Sequence, residues 1–486
     1  MSFPGAKTFL SKDIVGEEEL KNYKVVRTSH LTPEVLKEIA TPHMTGQYHI
    51  ANVIFTEPLS LDKISHADIT LQNCFLEQSI SSWHPITFKG NVYFDRCYFT
   101  KGLTFMSGIT FEKKLLMMNV CASNILIQDA RFKNASLYCD DVTYIQFTKA
   151  VFDTFLVRAA EKKAIECLKI DCGGLEGSLV IDGADTGAIY DVVIRGGSKL
   201  LELTIEDLSI HRIGFFRFFN GTGLKLFNIK AVLANIPSEF TIADCNLGKA
   251  EFYSVDLGNF QLVCVFDSYL LDCTFVGTKW PQFFHYFEYS FFGTIETFYQ
   301  KRYEHVTKML TEAMRGNVGK RLPFYPDIYN DQTTLEKLKE TFRQIKYSYT
   351  KQGDSQMEHK FHVLEMRYQN RLLYFRKEPL QKLILPLSDW SSEFGQSIKR
   401  PLVGLLWGHL FLFIVLIISH GTPLIMKPSL TFSDINKTVF WFFKLINPIH
   451  SNDLPANATI IIDLTMRIWS SYMIYNFIKA SRRYIR

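Results

Sequence analysis

The residues best suited to a chemical role are two charged side chains near the C-terminus. Asp463 and Arg467 interrupt the otherwise apolar segment ATIIIDLTMRIWSSYMIYNFIKA. Residues four apart lie on one face of a helix, so these side chains can form an ion pair. Ionisable groups inside a membrane span are costly and usually face a partner helix or a pore. We therefore predict a pore or interhelix site here, with a pair at the membrane interface as the alternative.

A second group of potential ligands lies upstream. His359 and His362, with Glu358 and Glu365, fall on adjacent turns of one predicted helix. The HExxH spacing is missing and no cysteine set supplies further ligands, so an exposed polar helix face is favoured over a metal site. The segment GNVGKR, residues 316–321, lacks the spacer and the Ser or Thr of a phosphate loop. We predict neither a metal nor another cofactor.

Two pairs of Asp residues are the candidates for a hydrolase site. Paired carboxylates on an exposed sheet face can cleave glycosidic bonds by acid–base chemistry. The nearby pairs are Asp140 with Asp141, and Asp182 with Asp185. Both have the character of corner residues between strands, where Asp is common. The sequence therefore predicts that the protein is not an enzyme, with a solenoid enzyme as a less favoured class.

Composition narrows the class of protein further. The 486 residues carry 54 Lys and Arg against 49 Asp and Glu, a net charge of +5 that excludes nucleic-acid binding driven by bulk charge. With 47% hydrophobic residues, the chain is neither disordered nor a polytopic transporter. The nine cysteines form no CxxC pair, and MSFPGAKTFLSKD contains no apolar signal region. We expect a reducing cytosolic setting with the thiols in the core.

The 41 phenylalanines follow a short rhythm between residues 65 and 278. Leu247, Phe252 and Leu257 are five apart, each preceded by a small or β-branched residue two positions earlier. A period of five fits neither a helix nor a flat strand, but it suits a solenoid coil with about four sides. The predicted core consists of Phe94, Phe99, Phe105, Phe111, Phe132, Phe147, Phe152, Leu247, Phe252, Leu257 and Phe275.

This pattern resembles the pentapeptide-repeat family, in which a small residue, any residue and then Leu or Phe recur every five positions. The resemblance is strong over 243–277, fair over 88–157 and weak over 165–235, where glycine-containing segments indicate longer corners. It implies a right-handed β-helix, that is, a β-solenoid, for residues 65–278. Residues 1–64 are predicted to be an N-terminal cap or irregular segment.

Residues 279–390 are predicted to be a cytoplasmic helical coupling region. Gly353 and Asp354 interrupt the helical spacing, which predicts an α-helical hairpin of two antiparallel helices. Between residues 335 and 377 there are ten basic and five acidic side chains, an excess equal to the net charge of the chain. This excess indicates either contact with anionic lipid or a solvated helix face.

Residues 391–486 are predicted to be a membrane domain with two transmembrane helices. Residues 401–420 carry no charged side chain and match the thickness of a bilayer core. Residues 460–478 form a poorer span because they contain Asp463 and Arg467. Between the spans, a short aromatic helix at 437–447 is too short to cross, and Asn447-Pro448 ends it at an interfacial or re-entrant position.

The flanking charges predict the orientation of the two spans. Positively charged residues near the ends of a span favour the cytoplasmic side. Both termini are therefore expected in the cytoplasm, with residues 422–457 outside. The flanking residues are Lys399 and Arg400 before the first span, and Lys479, Arg482, Arg483 and Arg486 after the second.

The membrane end carries a second resemblance. The segment FGQSIKRP (394–401), the hairpin and the C-terminal basic cluster are similar to bacterial pentapeptide-repeat membrane proteins whose two-span end is like an ion-channel pore domain. The resemblance covers residues 243–486 and implies an oligomeric end in the inner membrane of a bacterium. Nothing matches the TVGYG filter of potassium channels, so no ion selectivity is implied.

These observations lead to one functional hypothesis and one alternative. The first is a cytoplasmic solenoid sensor or scaffold, binding a cytosolic protein or ligand, coupled to a pore formed by a homo-oligomer of the membrane end. Two spans cannot enclose a water path alone, so conduction requires several subunits. The alternative is a non-conducting scaffold that the spans tether to membrane lipid. No nucleic-acid partner is expected.

Overall fold

A computed structural model describes most of the chain as two units, Met1–Glu358 and His359–Arg486. We treat each unit by itself. The residues described are 21–27, 31, 33–42, 47–78, 85–105, 108–183, 188–197, 199–219, 223–231, 238–260, 262–266, 268–280, 332–373, 377–420, 432–450 and 459–482.

The first unit is a β-solenoid of short strands that pair in parallel, except for the antiparallel pair β2–β3. Its strands are β1 Lys24–Val26, β2 Ala40–Pro42, β3 Gln47–Ala51, β4 Val53–Phe55, β5 Asp68–Gln72, β6 Phe75–Leu76, β7 Ile86–Phe88, β8 Val92–Asp95, β9 Tyr98–Phe99, β10 Leu103–Phe105, β11 Ile109–Gln128, β12 Arg131–Thr148, β13 Val151–Asp171, β14 Glu176–Asp182, β15 Ala188–Gly197, β16 Lys199–Glu206, β17 Ser209–Phe219, β18 Leu224–Phe227, β19 Lys230–Ala231, β20 Glu239–Ala243, β21 Glu251–Tyr253, β22 Leu262–Phe266 and β23 Thr274–Val276.

One continuous ladder of side chains runs through the interior of the solenoid. Each member is paired in register with the next, 20 to 26 residues further along the chain, and every member is buried. Successive coils thus bury each other's apolar face, as expected for a repeat architecture. The ladder consists of Ile50, Leu71, Phe94, Met117, Leu137, Val157, Ile181, Ile205, Leu226, Phe252 and Phe275.

One coil shows where the residues of the five-residue repeat lie in the structure. Phe132, Leu137, Val142, Phe147 and Phe152 are five apart, and all five side chains are buried. Phe132 pairs with Phe152 on the next coil, so one circuit contains four steps of this five-residue series. The glycine-rich part keeps the same ladder, because Ile181 pairs with Ile205 across a longer circuit of 24 residues.

The predicted core residues are all buried in the solenoid. None of the eleven side chains is more than 5% exposed, and several stack with the ring of the next coil, as Phe111 does on Phe132 at 5.2 Å. The ladder starts at Ile50, inside the segment 1–64 for which a cap or irregular structure was predicted. Residues 50–64 contain a single Phe, in the dyad of Val53 and Phe55, so the five-residue pattern did not mark this start.

Seven helices are described. They are α1 Pro33–Ile39, α2 Gln332–Gln352, α3 Ser355–Leu372, α4 Pro379–Ser392, α5 Lys399–His420, α6 Phe432–Ile446 and α7 Thr459–Ser481. Helices follow the solenoid, and α2 and α3 are separated at Gly353, where the backbone is left-handed with a φ of 76°. Within the described residues, one helix is long and apolar enough to cross a membrane, over Lys399–Ser419.

Candidate functional site

Helix α2 closes the C-terminal end of the solenoid. The last coil has backbone groups with no following strand among the described residues, and polar side chains of α2 bond to them. Gln344 accepts a hydrogen bond from the backbone N–H of Leu270 at 2.7 Å, and the Ser348 hydroxyl donates to the carbonyl of Cys273. An amphipathic helix thus covers a sheet edge that would otherwise pair with another chain.

Aromatic and charged contacts anchor the same helix. The indole N–H of Trp280 donates to the Tyr349 hydroxyl at 2.7 Å, and the Tyr349 ring lies 5.7 Å from that of Phe275. Lys351 pairs with Asp272 at 2.6 Å on the exposed edge. Two residues, Gly353 and Asp354, separate the end of α2 from the start of α3.

The acidic pairs considered for hydrolysis have other partners. Asp182 is 5% exposed and accepts a hydrogen bond from Arg158 Nε at 2.7 Å on the neighbouring coil. Asp140 accepts from the Cys121 thiol at 3.6 Å, whereas Asp185 lies outside the described residues. These acids therefore stabilise the contact between coils.

The predicted ligand group on α3 does not assemble into a metal site. His362 Nδ1 lies 3.7 Å from a Glu365 oxygen, one turn along the helix. No three His, Cys, Asp or Glu side chains come together to hold a metal ion anywhere in the described parts of the chain. The segment GNVGKR falls outside those parts.

The second unit, which contains α4 to α7, exposes many large apolar side chains around a buried apolar cluster that includes Phe413 and Met466. Trp407 and Phe411 on α5, and Ile461 and Ile468 on α7, are between 63% and 72% exposed. A water-soluble helix bundle has the opposite arrangement, with its apolar stripes turned inward. The exposed apolar side chains of this unit are therefore suited to apolar surroundings.

Polar side chains fill part of the interior of the same unit. His409 and Ser470 are fully buried, and Asn476 is 4% exposed. Each has a polar contact: His409 Nε2 with the Phe442 carbonyl at 3.3 Å, Ser470 with His409 Nδ1 at 3.4 Å, and Asn476 Oδ1 with the Ser392 hydroxyl at 3.2 Å. Buried polar groups that pair in this way avoid most of the desolvation penalty.

The strongest of these contacts form a buried charged cluster, the Asp463 cluster, made of His450, Asp463 and Arg467. Asp463 accepts from Arg467 Nε at 2.9 Å and contacts His450 Nε2 at 2.8 Å with its other oxygen. The opposite ring nitrogen of His450 faces the Asn447 carbonyl at 2.6 Å. Both ring nitrogens of His450 therefore contact oxygen atoms, one of a carboxylate and one of a backbone carbonyl.

The turn after α6 positions His450. Helix α6 ends at Ile446, and the Asn447 side chain accepts from the backbone N–H of Ile449 at 3.0 Å. This Asx turn, with Pro448 inside it, brings His450 back to its contact with the Asn447 carbonyl. Asn447 and Pro448 thus act through backbone geometry, and no described contact places their side chains with Asp463.

Two glycines let α7 approach α5 closely. A Cβ at Gly408 would lie 2.3 Å from Trp469 Nε1, so only glycine fits beneath this indole. The indole N–H donates to the Gly404 carbonyl at 3.1 Å. Small residues four apart that admit a neighbouring helix are typical of helix packing in membranes.

A second buried ion pair holds α4 in place. Arg367 on α3 binds Asp389 through two bonds, of 3.0 and 2.9 Å, and it also contacts Glu393 at 3.0 Å. Both Arg367 and Asp389 are at most 5% exposed. Arg400 lies 3.6 Å from Glu393, which connects this network to the start of α5.

The FGQSIKRP segment contains the turn between α4 and α5. Glu393, Phe394 and Gly395 all adopt left-handed φ values, of 51°, 55° and 87°, and Phe394 is buried. The Ser397 hydroxyl accepts from the backbone N–H of Arg400 at 3.2 Å and caps α5. The motif therefore fixes the turn between α4 and α5.

The predicted flanking cations differ in their surroundings. Lys399, Lys479 and Arg482 are exposed, whereas Arg400 takes part in the network around Glu393. Arg483 and Arg486 lie outside the described residues. Sequence reasoning missed His450, Arg367 and Asp389, since none of them has a partner at a recognisable spacing along the chain.

The chain was compared with models of protein families, with curated proteins and with solved structures, and none of them matches it.

Proposed function

We propose that the protein is a membrane protein in which a cytoplasmic β-solenoid, acting as sensor or scaffold, is coupled to a helical end that forms a pore as a homo-oligomer. The observation that carries this proposal is the reversed polarity of α5 to α7, in which many large apolar side chains are exposed whereas the polar side chains of His409, Asp463 and Ser470 are buried. Such a surface would be costly in water and is favourable in lipid.

The reversed polarity supports two spans. Helix α7 is interrupted by Asp463 and Arg467, but these two side chains bond to each other in the Asp463 cluster. Many of the side chains that α7 exposes, such as Ile461 and Leu464, are apolar. The positive charges of Lys399 and Lys479 support an orientation with both termini in the cytoplasm, as in a bacterial inner membrane.

The buried charges favour a pore over a simple anchor. An anchor needs only apolar helices, whereas ionisable groups at membrane depth are expensive and usually serve transport or gating. The Asp463 cluster and the His409–Ser470 contact form such a polar interior. A single copy has no room for a water path between three helices, so the pore requires an oligomer.

A non-conducting scaffold is the second candidate, and one observation favours it. The carboxylate of Asp463 already contacts Arg467 and His450 within its own subunit, so these polar groups need no pore. In this case the spans hold the solenoid at the membrane, where it binds a cytosolic protein.

Planar bilayers separate the two candidates. The purified full-length protein should pass current, and Asp463→Asn should change the conductance or the open probability without releasing the protein from membranes. Folded oligomers that pass no current, together with unchanged cellular activity when an unrelated two-span anchor replaces residues 391–486, would overturn the pore. Extraction of the protein by alkaline carbonate would overturn the membrane location itself.

A further inference from the structure

Helix α4 carries an apolar stripe that the described structure leaves uncovered. Its members recur at the three- and four-residue spacing of one helix face and are between 41% and 72% exposed. This α4 stripe consists of Leu380, Leu383, Ile384, Leu387 and Trp390.

The rest of α4 is bound within its own unit, which fixes the direction of the stripe. Asp389 is held by Arg367, and Lys382 Nζ donates to the Asn370 carbonyl at 2.5 Å. Ser391 and Ser392 bond to Tyr472 and Asn476 on α7 at 3.1 and 3.2 Å. Because these contacts surround the polar side of the helix, α4 cannot bury its stripe by rotating.

The position of Trp390 gives the depth of the stripe relative to α5. The tip of its indole would lie 3.9 Å from a Cβ at Gly404, and its ring is 5.8 Å from that of Trp469. Gly404 follows Lys399 by five residues, which corresponds to about 7.5 Å along a helix. Amphipathic helices that lie on membranes bury their apolar face about 5–10 Å deep, and Trp is enriched at that level.

We infer that α4 lies in the lipid–water interface, with the α4 stripe embedded in the acyl boundary beside the first span. This inference rests on the proposed membrane location of α5. Trp390 of the stripe lies beside Gly404 on α5, and the neighbouring Leu402, Val403 and Leu406 are exposed, so one lipid phase can cover both surfaces. Helix α4 has 14 residues, about 21 Å, and is too short to cross the bilayer.

Fluorescence quenching in liposomes tests this inference. Cysteine is introduced in the full-length protein at Ile384 on the stripe, at the exposed Gln381 on another side of α4, or at Phe411 on α5. Each variant is labelled with an environment-sensitive fluorophore, and labelling of the parent protein is subtracted. Lipids with a nitroxide near the headgroup should quench the label at Ile384 but not that at Gln381, and nitroxides deep in the chains should quench the label at Phe411.

The outcomes are distinguishable. Quenching at Phe411 with equal, weak quenching at Ile384 and Gln381 would overturn the interfacial helix and leave the membrane span intact. Absence of quenching at Phe411 would overturn the proposed function, and the inference with it. A blue-shifted label at Ile384 that lipid nitroxides do not quench would show that protein covers the stripe, which also contradicts a lipid-facing α4.

Discussion

Gln352 bonds to Phe275 and its neighbour as a further strand of the solenoid would. Its side-chain oxygen accepts from the backbone N–H of Phe275 at 3.1 Å, and its side-chain nitrogen donates to the Cys273 carbonyl at 3.3 Å. One amide side chain thus supplies both the acceptor and the donor of a peptide group. Side chains of α2 thus satisfy backbone groups at the end of the solenoid.

This relationship predicts the effect of an isosteric change. In Gln352→Glu, the donor is lost and a carboxylate oxygen faces the Cys273 carbonyl. Leaving such a group unsatisfied costs about 1–3 kcal/mol. Thermal unfolding of the full-length protein in detergent should show a lower midpoint for the first unit. Thr350→Ala, at an exposed position on the same helix, should leave that midpoint unchanged, and equal effects would contradict the capping role.

A second prediction concerns the internal ladder. Phe252 is 1% exposed and its ring lies 4.9 Å from that of Phe275. Phe252→Ala should lower the free energy of unfolding by about 3–5 kcal/mol, because it removes apolar contact and leaves a cavity. Val276→Ala, at a side chain that is 49% exposed on the same coil edge, should cost less than about 0.5 kcal/mol. Denaturant titration followed by circular dichroism measures both, and similar losses would refute the ladder.

The two glycines of α5 should differ in their tolerance of a methyl group. In Gly408→Ala the new Cβ meets the rigid Trp469 ring at 2.3 Å, and overpacking of this kind costs about 1–3 kcal/mol. In Gly404→Ala it meets the flexible end of Met473 at 3.1 Å, so the cost should be smaller. Detergent melting curves and tryptophan emission compare the two variants. A larger effect at Gly404 would contradict this packing of α7.

The Asp463 cluster predicts a large effect from a small chemical change. Asp463→Asn removes the negative charge that contacts Arg467 and His450. Breaking a fully buried ion pair at one partner costs about 3–5 kcal/mol, and because the Arg467 side chain is 23% exposed we expect a smaller loss, of about 1–3 kcal/mol. The melting temperature of the second unit should fall clearly. Thr465→Ala, on the exposed side of the same helix, is the control. If Asp463→Asn and Thr465→Ala melt alike, the cluster does not stabilise α7.

The buried cysteines predict a dependence of alkylation on pH. Burial, and then the neighbouring carboxylate of Asp140, raises the pKa of Cys121 to about 12, and burial raises the pKa of Cys172 to about 12. The thiolate is the reactive form, so at pH 8 these thiols should react roughly a thousandfold more slowly than a free cysteine, whose pKa is about 8.5.

Mass spectrometry after brief iodoacetamide treatment measures this protection. At both pH 7 and pH 9, Cys121 and Cys172 should be labelled far more slowly in the folded protein than in guanidinium, because only a small fraction of each buried thiol is ionised. Rapid labelling of both at pH 8 would show that these sites open readily.

The solenoid was largely predictable, because its signal is local and repeated. A residue such as Phe147 is recognisable from its neighbours five positions away, and the stacking of coils places every such residue inside. The coil that begins near Ile50 was not recognisable, since aliphatic residues there replace all but one of the Phe dyads. Parallel pairing accepts any apolar side chain of suitable size, so the pattern can fade while the geometry continues.

The polar contacts of the second unit were only partly predictable. Asp463 and Arg467 are four residues apart on one helix, and this spacing is visible in the sequence. His450 joins them only because the turn at Asn447 reverses the chain, and Arg367 meets Asp389 across 22 residues. Contacts of this kind depend on tertiary packing, for which a single sequence carries no periodic signal.

The ladder from Ile50 to Phe275 also sets a length. Neighbouring strands of a sheet are about 4.8 Å apart, so its ten steps span about 48 Å along the stack. A partner bound at the first coil would stand about 5 nm from the end that α2 closes. Each added or deleted coil would change the distance between the two ends of the solenoid by one strand spacing. The number of coils therefore sets how far a partner at the first coil stands from α2.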